Sequence, residues 1–176
     1  LLPRGPLREP PASLERAGVV VLTRSEGRTE PLDGDLAGLV AGRPVLRTRI
    51  RPTTLVATDG TETPLAHLAG RTVFAFAGIA RPESFRQTLE GLGASVAGFA
   101  AFPDHHRFGA EDVKRLERGL GETGAEILVT TEKDGVKLSG LAAFSGRLFC
   151  LAIETEILEG AEGLETALRV IIPHRR

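Results

Sequence analysis

What most limits the folds open to this chain is an alternation. Short apolar, β-branched runs recur at Gly18–Thr23, Val45–Ile50, Thr72–Ala77, Ala94–Phe99, Ile127–Thr130 and Arg147–Ile153, and several are apolar but for one end residue. Such runs predict strands covered on both faces. Helical spacing falls between them. In Pro82–Leu92 a proline stands in the first turn, and Phe85, Leu89 and Leu92 share a face. Ala110–Leu120 places Val113, Leu116 and Leu120 together, and Leu164–Val170 is a third such stretch. Strands that alternate with helices need crossover connections. The predicted fold is therefore α/β, a three-layer sandwich around a mainly parallel sheet.

One interval breaks the rhythm. Residues 51–64, RPTTLVATDGTETP, put Asp59-Gly60 between short β-prone pieces, the mark of a hairpin. It is expected to stand off the main sheet as a small two-stranded hinge hairpin. Ahead of the alternation, Leu1–Pro11 holds four prolines and a glycine and reads as an extended lead-in. This divides the chain into a lead-in segment, 1–17, and an α/β domain, 18–176, with its hairpin near 51–64.

Composition narrows the partners. With 176 residues, 41% hydrophobic and 26% charged, the chain can build a proper core, and its net charge of −1 supplies no field for nucleic acid. Cys150 is the single cysteine, so it has no partner for a disulfide or a thiolate metal site, and a cytoplasmic setting is expected. No apolar run approaches the roughly 20 residues of a membrane span, and the first residues lack the order of a signal peptide. Methionine is absent, so Leu1 reads as a cut point.

No GxxxxGK[ST] loop occurs in the sequence, and no GxGxxG follows a predicted strand. The nearest approach to a phosphate cradle is Phe76–Ser84, a strand end leading into a helix, for which a tight turn is the plainer reading. Asp104-His105-His106 follows a predicted strand and precedes a helix, which places it at the carboxyl edge of the sheet, where open α/β folds bind ligands. An imidazole there can accept a proton or orient a carboxylate, and an ordinary surface loop explains it as well. No third ligand accompanies these histidines, so no metal is expected in this chain. Thr131 with Asp134 three residues later has the form of a capping box, while Thr130-Thr131-Glu132-Lys133-Asp134 also gathers charge at the same sheet edge. Arg8-Glu9 has no local structural duty, and arginine suits phosphate. His67 and His174 read as surface residues.

In order, Leu2–Pro10 (LPRGPLREP), Phe76–Phe85 (FAGIARPESF), Phe102–His106 (FPDHH) and Thr130–Asp134 (TTEKD) resemble the tetraacyldisaccharide 4'-kinases across nearly the whole chain. That family transfers the γ-phosphate of ATP to the 4'-hydroxyl of a tetraacyldisaccharide 1-phosphate in lipid A biosynthesis. The resemblance implies two α/β domains joined by a two-stranded hinge. The first would carry the P-loop, the magnesium carboxylates, the base aspartate and the membrane-associating helix, and this sequence matches the second. By resemblance His105 is the histidine paired with the base aspartate and Arg8 lies near the reacting phosphate. Glu9 lies near the nucleotide, and Asp104, Thr131, Glu132, Lys133 and Asp134 are supporting residues. Gly135 stands where the family would have alanine, which is expected to loosen the turn after it.

The implied partners are ATP with Mg2+, the lipid A disaccharide precursor and, through the first domain, the cytoplasmic face of a Gram-negative inner membrane. Nucleic acid is not among them. Without a phosphate cradle the chain alone is expected to be inactive. The alternative is a non-catalytic α/β binding or interaction module that kept the fold.

Overall fold

A computed structural model describes residues 7–25, 31–138, 144 and 146–171, with the backbone alone at 170 and 171. His174 lies outside them. In chain order the elements are β1 (Val20–Leu22), α1 (Gly34–Leu39), β2 (Val45–Ala57), β3 (Glu62–Thr63), β4 (Thr72–Ala77), α2 (Pro82–Gly91), β5 (Ser95–Ala101), α3 (Ala110–Thr123), β6 (Ile127–Thr131), α4 (Glu132–Leu138), β7 (Leu148–Glu159) and α5 (Ala161–Ile171). Short 3₁₀ turns lie at Pro11–Arg16 and Leu65–Leu68. The chain divides into two compact units, one of residues 1–51 with 154–176 and the other Pro52–Ile153. It crosses between them inside β2 and again inside β7.

The Pro52–Ile153 unit holds the parallel sheet. β4 lies between β5 and β6 and is parallel to both, and β6 is parallel to β7. The alternation of side chains along β4 makes the three layers. Val73, Ala75 and Ala77 face a core shared with Phe85 and Leu89 of α2, whereas Phe74 and Phe76 face a second core with Leu116 and Leu120 of α3. Leu89 and Leu116 are fully buried, and each contributes roughly 1.5–3 kcal/mol of apolar burial. Phe74 fits because its neighbours lack side chains. A Cβ on Gly98 would lie 2.6 Å from its ring, and one on Gly119 would overlap it as well. The register of β4 against β5 shifts at this point, between Val73 and Phe74.

The expected hairpin is present and differs in one respect. Asp59 and Gly60 turn the chain, with Gly60 at φ +85° and the Thr61 N–H donating to Asp59 Oδ1 at 2.9 Å. β3 then pairs antiparallel with β2, Leu55 opposite Thr63. The first arm, however, is the end of a 13-residue sheet strand whose Leu55 is completely buried. The hairpin is thus rooted in the sheet and does not stand off it, and the chain crosses between units in β2 and β7.

In the other unit β1 runs parallel to the start of β2. Arg43 ties this unit together by donating to backbone oxygens of Ala17 at 3.1 Å, Leu39 at 3.2 Å and Glu15. Across β2 and β7, Arg47 pairs with Glu159, Arg49 with Glu156 and Arg51 with Glu154 at 2.8–3.3 Å. Their order runs in opposite senses along the two strands, so the strands are antiparallel here. β7 outruns its apolar prediction where Glu154, Glu156 and Glu159 face these arginines, and β2 outruns its own as the first arm of the hairpin with β3.

Candidate functional site at the carboxyl edge of the parallel sheet

Three strand ends meet at one edge. β4 ends at Ala77 and continues into Gly78, β5 runs into the Asp104–His106 loop, and β6 ends at Thr131 where α4 begins. At their centre is Asp134, whose side chain is wholly buried. Its Oδ2 accepts the Gly78 N–H at 2.7 Å and the Thr131 hydroxyl at 3.0 Å, and Lys137 Nζ donates to Oδ1 at 2.8 Å. A buried carboxylate satisfied on both oxygens in this way is stable without water.

The capping box is half realised. The Thr131 hydroxyl accepts the Asp134 N–H at 3.2 Å, as a cap does. The Asp134 carboxylate, free to return to the cap's own N–H, reaches instead to Gly78, 56 positions away in sequence. That N–H is therefore taken by a side chain, and Phe76–Ser84 is a strand-to-helix turn whose first donor is already satisfied. Thr130 is also buried and donates to the Phe76 carbonyl at 2.9 Å, which ties β6 to β4.

The Asp104–His106 loop is fixed from several sides. Lys133, exposed on α4, donates to Asp104 Oδ1 at 2.9 Å, and the His105 N–H donates to the same oxygen at 3.0 Å. The Lys133 bond is the main cause holding the Asp104 carboxyl below the usual carboxylate range, with burial opposing it. The two histidines part company. His106 Nε2 is 3.0 Å from Asp112 Oδ2, and its ring stacks on Phe102 at 4.8 Å and meets Phe108 edge-on at 5.0 Å. Asp112 also accepts the Gly109 N–H at 2.9 Å, which caps α3. Burial pushes the Asp112 carboxyl up, and the bonds from Gly109 and His106 outweigh it and leave it low. His106 is a peg between the loop and α3. His105 has its ring 79% exposed and its backbone in the left-handed region at φ +62°, a conformation that is costly for a side chain larger than glycine's.

Gly78 allows this edge to close. A Cβ there would stand 3.2 Å from both Asp134 Oδ1 and the Pro103 carbonyl and 3.5 Å from His106 Cβ. Glu132 accepts the Ile153 N–H at 3.3 Å on the flank of β7. Thus Asp104, His105, Thr131, Lys133 and Asp134 gather at one edge, with Glu132 beside them. Arg8 and Glu9 belong to the other unit, both exposed, with Glu9 bound to Arg16. Glu9 thus has the local partner that the sequence did not reveal. His67 is half-buried against the Phe149 ring at 5.4 Å, so it is a packing residue and not the surface residue expected. Gly78, Lys137 and Asp112 were not singled out in the sequence. Only Lys137, three residues after Asp134, carried a local signal.

The position Gly135 is filled, not loosened. A Cβ there would overlap Cys150 Sγ, so the thiol occupies the space that an alanine would take. Burial, reinforced by the carboxylates of Glu132 and Asp134, pushes that thiol up to about 11. Among the described residues no three His, Cys, Asp or Glu side chains are grouped to hold a metal ion, and no helix is long and apolar enough to cross a membrane.

Comparison with known proteins places this edge in context. A family model described as Tetraacyldisaccharide-1-P 4'-kinase matches residues 1–172. The tetraacyldisaccharide 4'-kinase of Anaeromyxobacter dehalogenans (strain 2CP-C) is 46% identical over 177 residues, 96% of this chain and 46% of that protein. That of Syntrophus aciditrophicus (strain SB) is 41% identical over 170 residues, 89% of this chain and 45% of that protein. The crystal structure of the "apo" form LpxK from Aquifex aeolicus in complex with ATP superposes with a TM-score of 0.68 at 31% identity, covering 97% of this chain and 48% of that one. The chain spans about half the length of these relatives. With the match running through both units and every element of the site, the chain belongs to the tetraacyldisaccharide 4'-kinase family.

Proposed function

We propose that this chain is the second half of a kinase that transfers the γ-phosphate of ATP to the 4'-hydroxyl of a tetraacyldisaccharide 1-phosphate. The family match over residues 1–172 carries the reading, and the solved relative named as an ATP complex supports ATP as the donor. Within the chain, the exposed imidazole of His105 at the carboxyl edge of the sheet is the group suited to the chemistry. The acceptor hydroxyl must lose a proton as the phosphoryl group arrives. An imidazole paired with a carboxylate accepts or relays that proton better than a carboxylate facing water. The carboxylate would come from the remainder of the kinase.

Phosphoryl transfer is almost wholly positioning and charge neutralisation. These 176 residues contain no GxxxxGK[ST] loop, and among the described residues no three His, Cys, Asp or Glu side chains are grouped to hold a metal ion. Nucleotide phosphates and Mg2+ are accordingly assigned to the other half, as is contact with the inner membrane at its cytoplasmic face. Arg8 is assigned to the reacting phosphate and Glu9 to the nucleotide. The isolated chain should neither hydrolyse ATP nor phosphorylate the disaccharide.

The test is phosphotransfer from labelled ATP to a disaccharide acceptor in detergent, by the chain alone and by the complete kinase. In the complete kinase His105→Ala should lower turnover about 10²–10⁴-fold with little change in KM for ATP. His106→Ala should be far milder. Turnover by the isolated chain, or near wild-type turnover in His105→Ala, would overturn the reading, and a silent isolated chain beside an active complete kinase excludes a stand-alone enzyme.

A further inference from the structure

We infer that Lys133 and Asp104 form a positioning clamp that presents the His105 ring, so that Lys133 acts on the reaction through His105 without touching substrate. The inference rests on the kinase reading and deepens it.

The geometry makes the pair more than a chance surface contact. Lys133 is the second residue of α4, which follows β6 directly, and Asp104 follows β5; these strands are not neighbours, because β4 lies between them. The 2.9 Å bond from Lys133 Nζ to Asp104 Oδ1 therefore spans the end of β4. It can do so because Gly78 sits there with no side chain, 3.2 Å from the Pro103 carbonyl at its would-be Cβ. Both ends of the clamp are fixed by neighbours in sequence. On one side Asp134, next to Lys133, is buried and bonded to Gly78, Thr131 and Lys137. On the other, His106 is held by Asp112 and stacked on Phe102.

His105 is what this frame leaves free. Asp104 Oδ1 takes the His105 N–H at 3.0 Å while accepting Lys133, and Asp104 Oδ2 stands 3.7 Å from His105 Nε2. One carboxylate thus holds both the backbone and the ring side of His105, and Lys133 holds the carboxylate. The bond to the N–H supports the left-handed backbone at φ +62° that turns the ring outward. With side chains 43% and 41% exposed, the Lys133–Asp104 pair adds little to folding stability. Its removal should leave the fold standing and move the ring. A displacement of about 1 Å at a reacting group costs up to about 10²-fold in rate.

The experiment uses the complete kinase and measures kcat and KM for ATP in Lys133→Ala, Lys133→Arg, His105→Ala and the Lys133→Ala/His105→Ala double variant, with thermal melting of each. Lys133→Ala should lower kcat about 10–100-fold with KM within about twofold and an almost unchanged melting temperature, and Lys133→Arg should recover most of the loss. In the His105→Ala background Lys133→Ala should cost nothing further, because a positioning residue has nothing left to position. If Lys133→Ala is silent while His105→Ala is damaging, or if the two losses multiply, the clamp is wrong and the kinase reading stands. If His105→Ala itself is silent, the reading of the site falls and takes the clamp with it.

Discussion

Asp134→Ala is the most severe single test of the site's architecture. The carboxylate has no exposed surface and satisfies three donors. Removing it strands the buried Gly78 N–H, at about 1–3 kcal/mol for an unsatisfied buried donor, and forfeits the Thr131 bond, at about 1 kcal/mol. The Lys137 pair adds about 1 kcal/mol once screening is allowed for, since Lys137 is 26% exposed. The sum of about 3–5 kcal/mol matches the usual cost of breaking a buried pair and is a large share of a domain's total stability. Asp134→Asn keeps an acceptor for Gly78 but turns an amide donor toward Lys137, so it should lose about half as much. Lys137→Ala should cost about 1–2 kcal/mol, and the double variant should show a coupling of about 1 kcal/mol. Urea unfolding followed by circular dichroism gives these numbers, and hydrogen exchange at the Gly78 amide locates them. A loss below about 1 kcal/mol in Asp134→Ala, with Gly78 exchange unchanged, would refute the view of Asp134 as the tie between the ends of β4 and β6.

Other consequences follow from the same edge. Gly135→Ala alone should destabilise by about 1–3 kcal/mol through overlap with Cys150 Sγ, whereas in a Cys150→Ala background the better helix former should make the same change neutral or favourable; chemical denaturation of the four proteins checks the sign. With its thiol pushed up to about 11, Cys150 should react with iodoacetamide at pH 8 far more slowly in the native chain than after unfolding, and equal rates would contradict its partial burial. Asp104 has a folded pKa below its unfolded one, with the Lys133 bond as the first cause. It therefore contributes stability above the usual carboxylate range that is lost as pH falls through the folded value, and Lys133→Ala should flatten that part of the acid limb in pH-dependent unfolding.

Much of the fold was legible locally. β4 was predicted with its observed ends, and α2 and α3 began where Pro82 and Ala110 said they would, because apolar periodicity and start signals act over a few residues. Two elements ran past their prediction for a definite reason. β2 continues as the hairpin arm that pairs with β3, and β7 continues as a ribbon in which Glu154, Glu156 and Glu159 face Arg51, Arg49 and Arg47 of β2. Strand pairing there is carried by alternating charges, and a search for apolar runs passes over them. The period-two pattern R-x-R-x-R with E-x-E was present in the sequence as a signal.

A parallel sheet covered on both faces, with the Asp104–His106 and Thr130–Asp134 segments emerging at its carboxyl edge, could be read from the residues alone. That much follows from strand, loop and helix in order along the chain. Which residues meet at that edge depends on how the strands are ordered in space. Asp134 reads locally as the third residue of a capping box and Lys133 as a solvated charge. Only the placing of β4 between β5 and β6 brings Gly78 to Asp134 and Asp104 to Lys133, across 56 and 29 positions of sequence. Local periodicity carries no information about strand order, which is set by packing α2 and α3 on opposite faces of the sheet. The choice between the two histidines was likewise tertiary. Adjacent and chemically identical in the sequence, they are separated by Asp112 and Phe102, which hold His106 and leave His105 exposed.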